Sequence, residues 1–228
     1  ITPPVNTQPP FGEKQYDEGC IKILNVGRFI AGGHCKKQKE ILSAFIILCH
    51  SASGSDKMYQ LTFIGSLSSS FEDIQYFNEL KTLAEDFNVI FIVNASLKEL
   101  HKTYKQAHFY WHGTGINESF ENNPEVFEHF GITPVEAMSR GAIPVVWHQG
   151  GPSEVCSNFK NLHAHSIEDY ALITLEILAS NPSVLSKGLM LESIKYSEEN
   201  FEIKIQSLVK TLQKTTVKEC NSSALLEV

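Results

Sequence analysis

The stretch NVIFIVNASLKELHKTYKQAHFYWH, residues 88–112, decides the fold. A continuous apolar run at 88–94 is followed by a helical pattern at 96–107 and a second apolar run at 108–112. Apolar runs without alternation are typical of strands that are buried on both faces. A strand–helix–strand unit of this length joins parallel strands, so the stretch predicts a parallel sheet with helices packed against it.

The same alternation extends along the chain on both sides of this stretch. Further strands are predicted at 21–27, 59–65 and 142–147, and helices at 36–48, 71–87, 133–141, 166–180, 183–196 and 200–214. The predicted fold class is therefore α/β, a doubly wound parallel sheet of the Rossmann-like type.

The pattern also divides the chain into three parts. The central Rossmann-like domain is expected to span residues 21–200. The Pro-rich segment 1–20 has no periodic apolar face and is interpreted as a linker that follows another domain. The segment 201–228 is expected to form a C-terminal helix and tail.

Composition and charge narrow the possible functions. The chain has 228 residues, of which 42% are apolar and 20% charged, as in an ordinary globular protein. Its net charge of -7 argues against a nucleic acid partner. The longest apolar run, at 44–49, is too short to span a membrane, and no secretory signal opens the sequence. Five scattered cysteines favour free thiols in a reducing compartment, so a cytoplasmic location is expected.

Several residues are predicted to share one edge of the sheet. Ligands of doubly wound sheets bind at the carboxyl ends of the strands. Gly27 and Arg28 follow the first predicted strand, Gly65 ends the second, and Asn94 and Ala95 follow the third. These residues are therefore candidates for a binding rim.

The stretch EVFEHFGITPVEAMSRG, residues 125–141, adds helix signals and two carboxylates. Thr133, Pro134 and Glu136 match the N-cap, N1 and N3 positions of a capping box. The amides at 131–133 would then face outward at a helix start, where phosphates bind. Glu128 and Glu136 could each accept hydrogen bonds from a sugar diol. The spacing alone leaves open that Glu136 only closes the cap and that Glu128 is a solvated loop residue.

Basic residues favour the ligand-binding interpretation. Arg28 follows a buried strand, and Lys36 and Lys37 precede the next helix, so all three cations are expected on the same rim. Cations placed there would stabilise the charge of a departing diphosphate. The sequence has no D-x-D motif, so no metal is expected. His108 and His112 are four residues apart, but on a strand this spacing favours core or rim histidines over a metal pair.

The pattern VGRF…KKQKEILSAF…FEHFGITPVEAMSRGAIPVV…GGPSE resembles the C-terminal, donor-binding half of the retaining family 4 glycosyltransferases, also called glycosyl transferases group 1. The resemblance covers roughly residues 21–180. It implies a GT-B fold, in which two Rossmann-like domains face each other across a cleft. Glu128 and Glu136 match the pair of glutamates that this family separates by seven residues.

The resemblance implies a role for each candidate. Arg28 and Lys37 would hold the donor diphosphate and Glu128 the sugar, and these three are the expected catalytic residues. Lys37 is chosen over Lys36 because of its distance from the apolar position Leu42. Glu136 would hold the ribose, and the loop at Asn94 would face the base. The expected donor-binding residues are Gly27, Gly65, Asn94, Ala95, Phe130, Gly131, Ile132, Thr133 and Glu136.

The implied activity is metal-independent, retaining transfer of a hexose without a cofactor. UDP-glucose is the first donor expected, and the acceptor would be a polysaccharide, a glycan or a lipid-linked sugar bound through the N-terminal domain. GDP-mannose as donor, and a non-catalytic or epimerase-like module, stay open as alternatives. This chain alone would bind a donor without transferring it. The full-length protein is expected in the cytoplasm, with peripheral association at the inner membrane face left open.

Two departures from the family pattern affect the loop before Glu128. The segment WHGTG, residues 111–115, replaces the usual Pro-Ser, and residues 116–127 form an insertion. Contacts to an acceptor or a partner are expected to differ at this loop.

Overall fold

The computed structural model describes residues 2–7, 14–16, 19–33, 35–54 and 56–223, and residues 214–223 by their backbone only. Six parallel strands form one sheet in the order β3-β2-β1-β4-β5-β6. The strands are β1 (Cys20–Val26), β2 (Met58–Gly65), β3 (Val89–Val93), β4 (Phe109–His112), β5 (Ile143–Trp147) and β6 (His163–Ala164). This strand order is that of a doubly wound dinucleotide-type fold, so the predicted fold class is confirmed.

Helices cover both faces of the sheet. They are α1 (Gln38–Ser51), α2 (Phe71–Leu83), α3 (Leu97–Gln106), α4 (Ile132–Ser139), α5 (Gly151–Val155), α6 (Ile167–Ala179), α7 (Pro182–Ser193) and α8 (Glu198–Ser223). Short 3-10 turns lie at Pro124–Val126, Lys160–Leu162 and Ile194–Tyr196. The short helix α5 and the two-residue strand β6 were not among the predicted elements.

Neighbouring residues of β1 show how the two faces are built. Ile23 lies in the larger apolar cluster, together with Phe45 of α1. Leu24 points to the other face and joins a smaller cluster with Tyr104 and Ala137. Both strand residues are almost completely buried, as the continuous apolar run predicts for a strand covered on both sides.

The described parts of segment 1–20 pack against the domain. Val5 and Tyr16 are both buried. The Val5 amide donates to the Tyr196 carbonyl at 2.8 Å, and the Tyr16 hydroxyl donates to the Gly141 carbonyl at 3.4 Å. The buried side chains of Val5 and Tyr16 therefore anchor the described parts of this segment to the domain.

The last helix, α8, extends the helix predicted at 200–214. Three apolar side chains on this helix are exposed: Ile205 is 36%, Leu208 45% and Leu212 58% accessible. Within the part of the chain that the structure describes, no helix combines the length and apolarity that crossing a bilayer demands.

Candidate functional site

The carboxyl ends of β1, β2 and β3 meet closely, as predicted. The Gly27 amide donates to the Ile64 carbonyl at 2.9 Å, and the Asn94 amide donates to the Gly65 carbonyl at 2.9 Å. A Cβ atom on Gly65 would lie 2.0 Å from the Gly27 carbonyl oxygen, so only glycine fits there. Asn94 has a positive φ of 55°, and the half-buried Ala95 follows it. These four residues lie together at the carboxyl edge of the sheet.

The two adjacent lysines point to different partners. The Lys36 ammonium lies 2.7 Å from Oε2 of Glu128. The Lys37 ammonium lies 2.5 Å from Oε1 of Glu118, in the insertion. Lys37 also lines a separate cavity of about 280 Å³, together with Tyr76.

The structure therefore brings Lys36, and not Lys37, next to Glu128, whereas the resemblance assigned the donor diphosphate to Lys37. Lys37 precedes helix α1 with a left-handed backbone, φ 56° and ψ 38°. This conformation is uncommon for a residue with a side chain. With this backbone, the two adjacent lysines reach different partners, Glu128 for Lys36 and Glu118 for Lys37. The spacing to Leu42 could not reveal it.

Glu128 is partly buried and lies close to the side chains of Lys36 and His112. Burial alone would raise the pKa of its carboxyl group. The hydrogen bond and charge of Lys36 outweigh this effect, with smaller help from His112 and His129, so the pKa lies below its usual value. Lys36 thus holds the carboxylate in its ionised form.

The backbone around Glu128 is fixed by the glycines of the GGPSE motif. The Gly151 amide donates to the Glu128 carbonyl at 2.7 Å. A Cβ atom on Gly151 would lie 2.4 Å from the carbonyl carbon of His129, so the two loops approach as closely as glycine permits. Phe130 packs edge-on against Tyr196, with ring centroids 5.5 Å apart. Its side chain therefore anchors the loop against the 3-10 turn at Ile194–Tyr196.

Helix α4 begins earlier than predicted, and the predicted capping box is wrong. The helix starts at Ile132, and Gly131 is its N-cap with φ 94° and no side-chain cap. Thr133 and Pro134 are consequently inside the first turn. The positive φ of Gly131 allows the chain to enter the helix directly, and a Cβ atom there would lie 2.9 Å from Pro152. The amides of Ile132 and Thr133 belong to the first turn, where helix geometry provides no acceptor.

Glu136 has a different partner from the one its spacing suggested. The Tyr104 hydroxyl donates to Glu136 Oε2 at 3.1 Å, and the Tyr110 hydroxyl donates to Thr133 Oγ1 at 2.7 Å. Both tyrosines are buried, and burial first of all raises the pKa of each hydroxyl, so both remain donors. Two buried tyrosines therefore orient the side chains of Thr133 and Glu136 at the start of α4.

Arg28 is exposed at the end of β1. Asp73 lies close to it at the start of α2, and its carboxylate accepts from the Ala31 amide at 2.9 Å and from the Ser68 hydroxyl at 2.6 Å. The Ser68 hydrogen bond chiefly, then the Ala31 amide and, more weakly, the Arg28 charge hold the pKa of Asp73 below its usual value. The loop that carries Arg28 is thus tied to α2, while the guanidinium remains accessible.

The sequence placed His112 on the rim without a role, and it did not identify Tyr104 and Tyr110 as polar groups of the rim. His112, at the end of β4, lies 4.0 Å from Glu128 through its Nε2 atom and is buried. The sequence pattern places Tyr104 in a helix and Tyr110 in a strand, with no polar role for either. Their periodic positions predict core packing, and nothing in a single sequence shows that their hydroxyls reach the rim.

Comparison with known proteins identifies relatives of this chain. Residues 11–184 match the family described as "Glycosyl transferases group 1". A Dictyostelium discoideum protein named GDP-Man:Man(3)GlcNAc(2)-PP-Dol alpha-1,2-mannosyltransferase is 25% identical over 98% of this chain and 44% of its own length. The human protein of the same name is 26% identical over 94% of this chain and 44% of its own length. The chain spans about half the length of these relatives.

Solved structures share the fold at low identity. A UDP-forming trehalose-phosphate synthase from Burkholderia xenovorans has a TM-score of 0.63 at 14% identity, over 86% of this chain and 45% of its own. Anabaena HepE in complex with UDP and glucose has a TM-score of 0.60 at 16% identity, over 84% of this chain and 48% of its own. These likenesses confirm the predicted resemblance to GT-B proteins in fold.

Proposed function

Because the chain belongs to the glycosyl transferases group 1 family, we propose that it is the donor-binding half of a hexosyltransferase and binds a nucleoside diphosphate hexose. The observation that carries the proposal is the Lys36–Glu128 contact of 2.7 Å beside the uncapped start of α4. A cation, a carboxylate and outward amides at one rim can hold a phosphate and a sugar at once.

The diphosphate would lie against the first turn of α4. The amides of Ile132 and Thr133 and the positive end of the helix dipole favour an anion there. The Lys36 ammonium would leave or share Glu128 to meet a phosphate oxygen, and the exposed Arg28 would approach from the β1 end of the cleft. Lys36 thus replaces Lys37 in the role first assigned to the latter.

The remaining parts of the donor would fill the two ends of the cleft. Glu128 would accept from hydroxyls of the hexose, and Glu136 would accept from the ribose diol while Tyr104 holds its second contact. The base would lie along the Asn94–Ala95 loop. Lys36 fixes the direction of the Glu128 carboxylate, and Tyr104 fixes that of Glu136. The two carboxylates would therefore bind the hexose and the ribose at separate positions.

The arrangement supports transfer by stabilising the leaving group. As the bond between the sugar and the diphosphate breaks, negative charge grows on the diphosphate oxygen. Lys36, Arg28 and the amides of α4 would stabilise that charge without a metal. The hexose would pass to an acceptor held by the other half of the enzyme, so this chain alone would bind the donor without transferring it.

The relatives favour mannose as the transferred sugar. The matched proteins from Dictyostelium and human carry GDP-Man in their names, and a further Dictyostelium relative, 26% identical over 83% of this chain, is named as an alpha-1,3/1,6-mannosyltransferase. GDP-mannose is therefore proposed as the donor and a lipid-linked oligosaccharide as the acceptor. UDP-glucose, expected from the sequence, is the second candidate. The solved structures whose names include UDP share only the fold with this chain, so they support this donor weakly.

A thermal-shift panel of GDP, UDP, ADP and their sugars tests this function. A ligand at about 100 times its Kd stabilises the native state by roughly 2.7 kcal/mol, which raises the Tm of a domain of this size by about 5–10 °C. GDP and GDP-mannose are expected to give this shift and ADP-glucose none. A panel in which no nucleotide moves the Tm at millimolar concentration would contradict the proposal. Binding by this chain without transfer by the full-length protein would instead favour a non-catalytic module.

A further inference from the structure

His112 is a buried imidazole with unused hydrogen-bonding capacity at the sugar end of the cleft. Its residue is 4% accessible, and its Nδ1 atom has no hydrogen-bond partner among the described residues. Its backbone carbonyl accepts from the Tyr170 hydroxyl at 2.6 Å, so the end of β4 is held firmly. The strand end is held through this backbone carbonyl and not through the ring nitrogens, so the imidazole has no evident structural role.

The burial of Nδ1 decides which nitrogen carries the proton. Orphaned buried N–H donors are rare, whereas an unpaired acceptor is tolerated more easily. The proton of the neutral ring therefore belongs on Nε2. That atom faces Glu128, with Nε2 and Oε2 separated by 4.0 Å.

The charges around His112 keep it a neutral donor. Desolvation lowers its pKa to about 4; Glu128 acts in the opposite direction and Lys36 in the same direction. The ring is consequently uncharged near neutral pH and cannot form a full ion pair with Glu128. It remains available to a neutral partner such as a hydroxyl group.

The distance between the two side chains fits one hydroxyl oxygen. A gap of 4.0 Å between Nε2 and Oε2 is too long for a direct hydrogen bond. A hydroxyl oxygen about 2.8 Å from each atom fits between them with an angle near 90° at the oxygen. Such a hydroxyl would accept from Nε2–H and donate to the carboxylate, so it would give both Nε2 and the hydroxyl hydrogen a partner.

We propose that His112 is a specificity-determining residue of the donor site, where its Nε2–H and Glu128 together bind one hydroxyl of the transferred hexose. The inference rests on the proposed donor function. It adds that sugar recognition requires a paired donor and acceptor and not the carboxylate alone. Removing the donor would then cost sugar affinity and leave nucleotide affinity intact.

Calorimetry on three variants tests this role. His112→Gln can place an amide N–H near the position of Nε2, whereas His112→Asn carries its amide near the position of Nδ1, and His112→Phe removes both nitrogens. The measured quantity is the ratio of the Kd of GDP to the Kd of GDP-mannose, with UDP and UDP-glucose as the parallel pair. His112→Gln is expected to keep this ratio within about threefold, and the other two to lower it about tenfold, as for one lost neutral hydrogen bond. The Kd of the plain nucleotide should stay unchanged throughout.

The outcomes separate the two proposals. An unchanged ratio in both His112→Asn and His112→Phe would overturn the role of His112, and so would an equal loss for nucleotide and nucleotide-sugar, which indicates a structural role. If the unmodified chain binds GDP but gains nothing from the mannose, the inference fails and nucleotide binding stands. If the unmodified chain binds neither nucleotide, the proposed function itself fails.

Discussion

Exchanging each of the two adjacent lysines for methionine gives the sharpest contrast that the site offers. The Lys36 stem lies on Gly27, since a Cβ atom there would be 2.7 Å from Lys36 Cγ. Methionine keeps this packing and removes only the charge. Lys36→Met should weaken nucleoside diphosphate binding by roughly 1.5–3 kcal/mol, the usual contribution of a hydrogen bond to a charged group, or about 10- to 150-fold in Kd.

Lys37→Met is the matched control. Its ammonium is engaged by Glu118 at 2.5 Å and faces a different cavity. Because Glu118 neutralises the Lys37 charge and the proposed donor makes no direct contact with it, Kd should change less than about twofold at 0.15 M salt. Isothermal titration of GDP and UDP into both variants at one salt concentration provides the comparison.

A third variant separates the direct contact between Lys36 and the diphosphate from the effect of overall charge. In Lys36→Met the Glu128 carboxylate loses its cation and repels the diphosphate, so adding Glu128→Gln should recover part of the lost affinity. Equal losses in Lys36→Met and Lys37→Met would show that only overall charge matters. A larger loss in Lys37→Met would restore the assignment made from the sequence and refute the reasoning from the structure.

Three further outcomes are expected. Glu136→Gln and Glu136→Ala should both weaken nucleotide binding, which calorimetry measures, and normal binding by both variants would exclude the ribose role. The alanine variant should also lose about 0.5–1.5 kcal/mol of stability in urea unfolding. This loss is only that of the Tyr104 hydrogen bond, because no capping box exists. The pKa of His112 falls from 6.5 to about 4 on folding, so the unfolded chain binds this proton first and stability is lost as pH falls from 6.5 toward 4, by up to roughly 3 kcal/mol. Urea unfolding of His112→Gln should lack this part of the loss, and an identical pH dependence in both proteins would contradict the buried neutral imidazole. Donor binding should survive EDTA, and a calorimetric signal that returns only with added Mg²⁺ would contradict the proposed charge stabilisation.

The fold could be predicted because its signals are local. The apolar runs at 88–94 and 108–112 and the helical pattern between them need no tertiary context, and they recur along the chain. The start of α4 could not be predicted in the same way. The sequence contains the capping-box pattern at Thr133, but the N-cap is Gly131, which has a positive φ and packs against Pro152. Pro152 is distant in the sequence, so this contact cannot be predicted from local signals.

The carboxyl edge of the sheet can be predicted from the sequence, but the side-chain contacts on it cannot. Arg28, Glu128 and Glu136 were placed at the ends of strands and helices, and the structure brings them to one edge. Which lysine faces Glu128 depends on the left-handed backbone of Lys37, which no spacing rule reveals. The partnership of His112 with Glu128 joins residues across the insertion at 116–127 and arises only from tertiary packing.

The most direct test of the donor site is a crystal structure of this chain with the nucleotide-sugar that the thermal panel selects. The account predicts phosphate oxygens about 3 Å from the Lys36 ammonium and from the amides of Ile132 and Thr133, with the hexose against Glu128. A nucleotide bound elsewhere, for example in the groove on α2 lined by Phe71, Ile74 and Leu83, would contradict it.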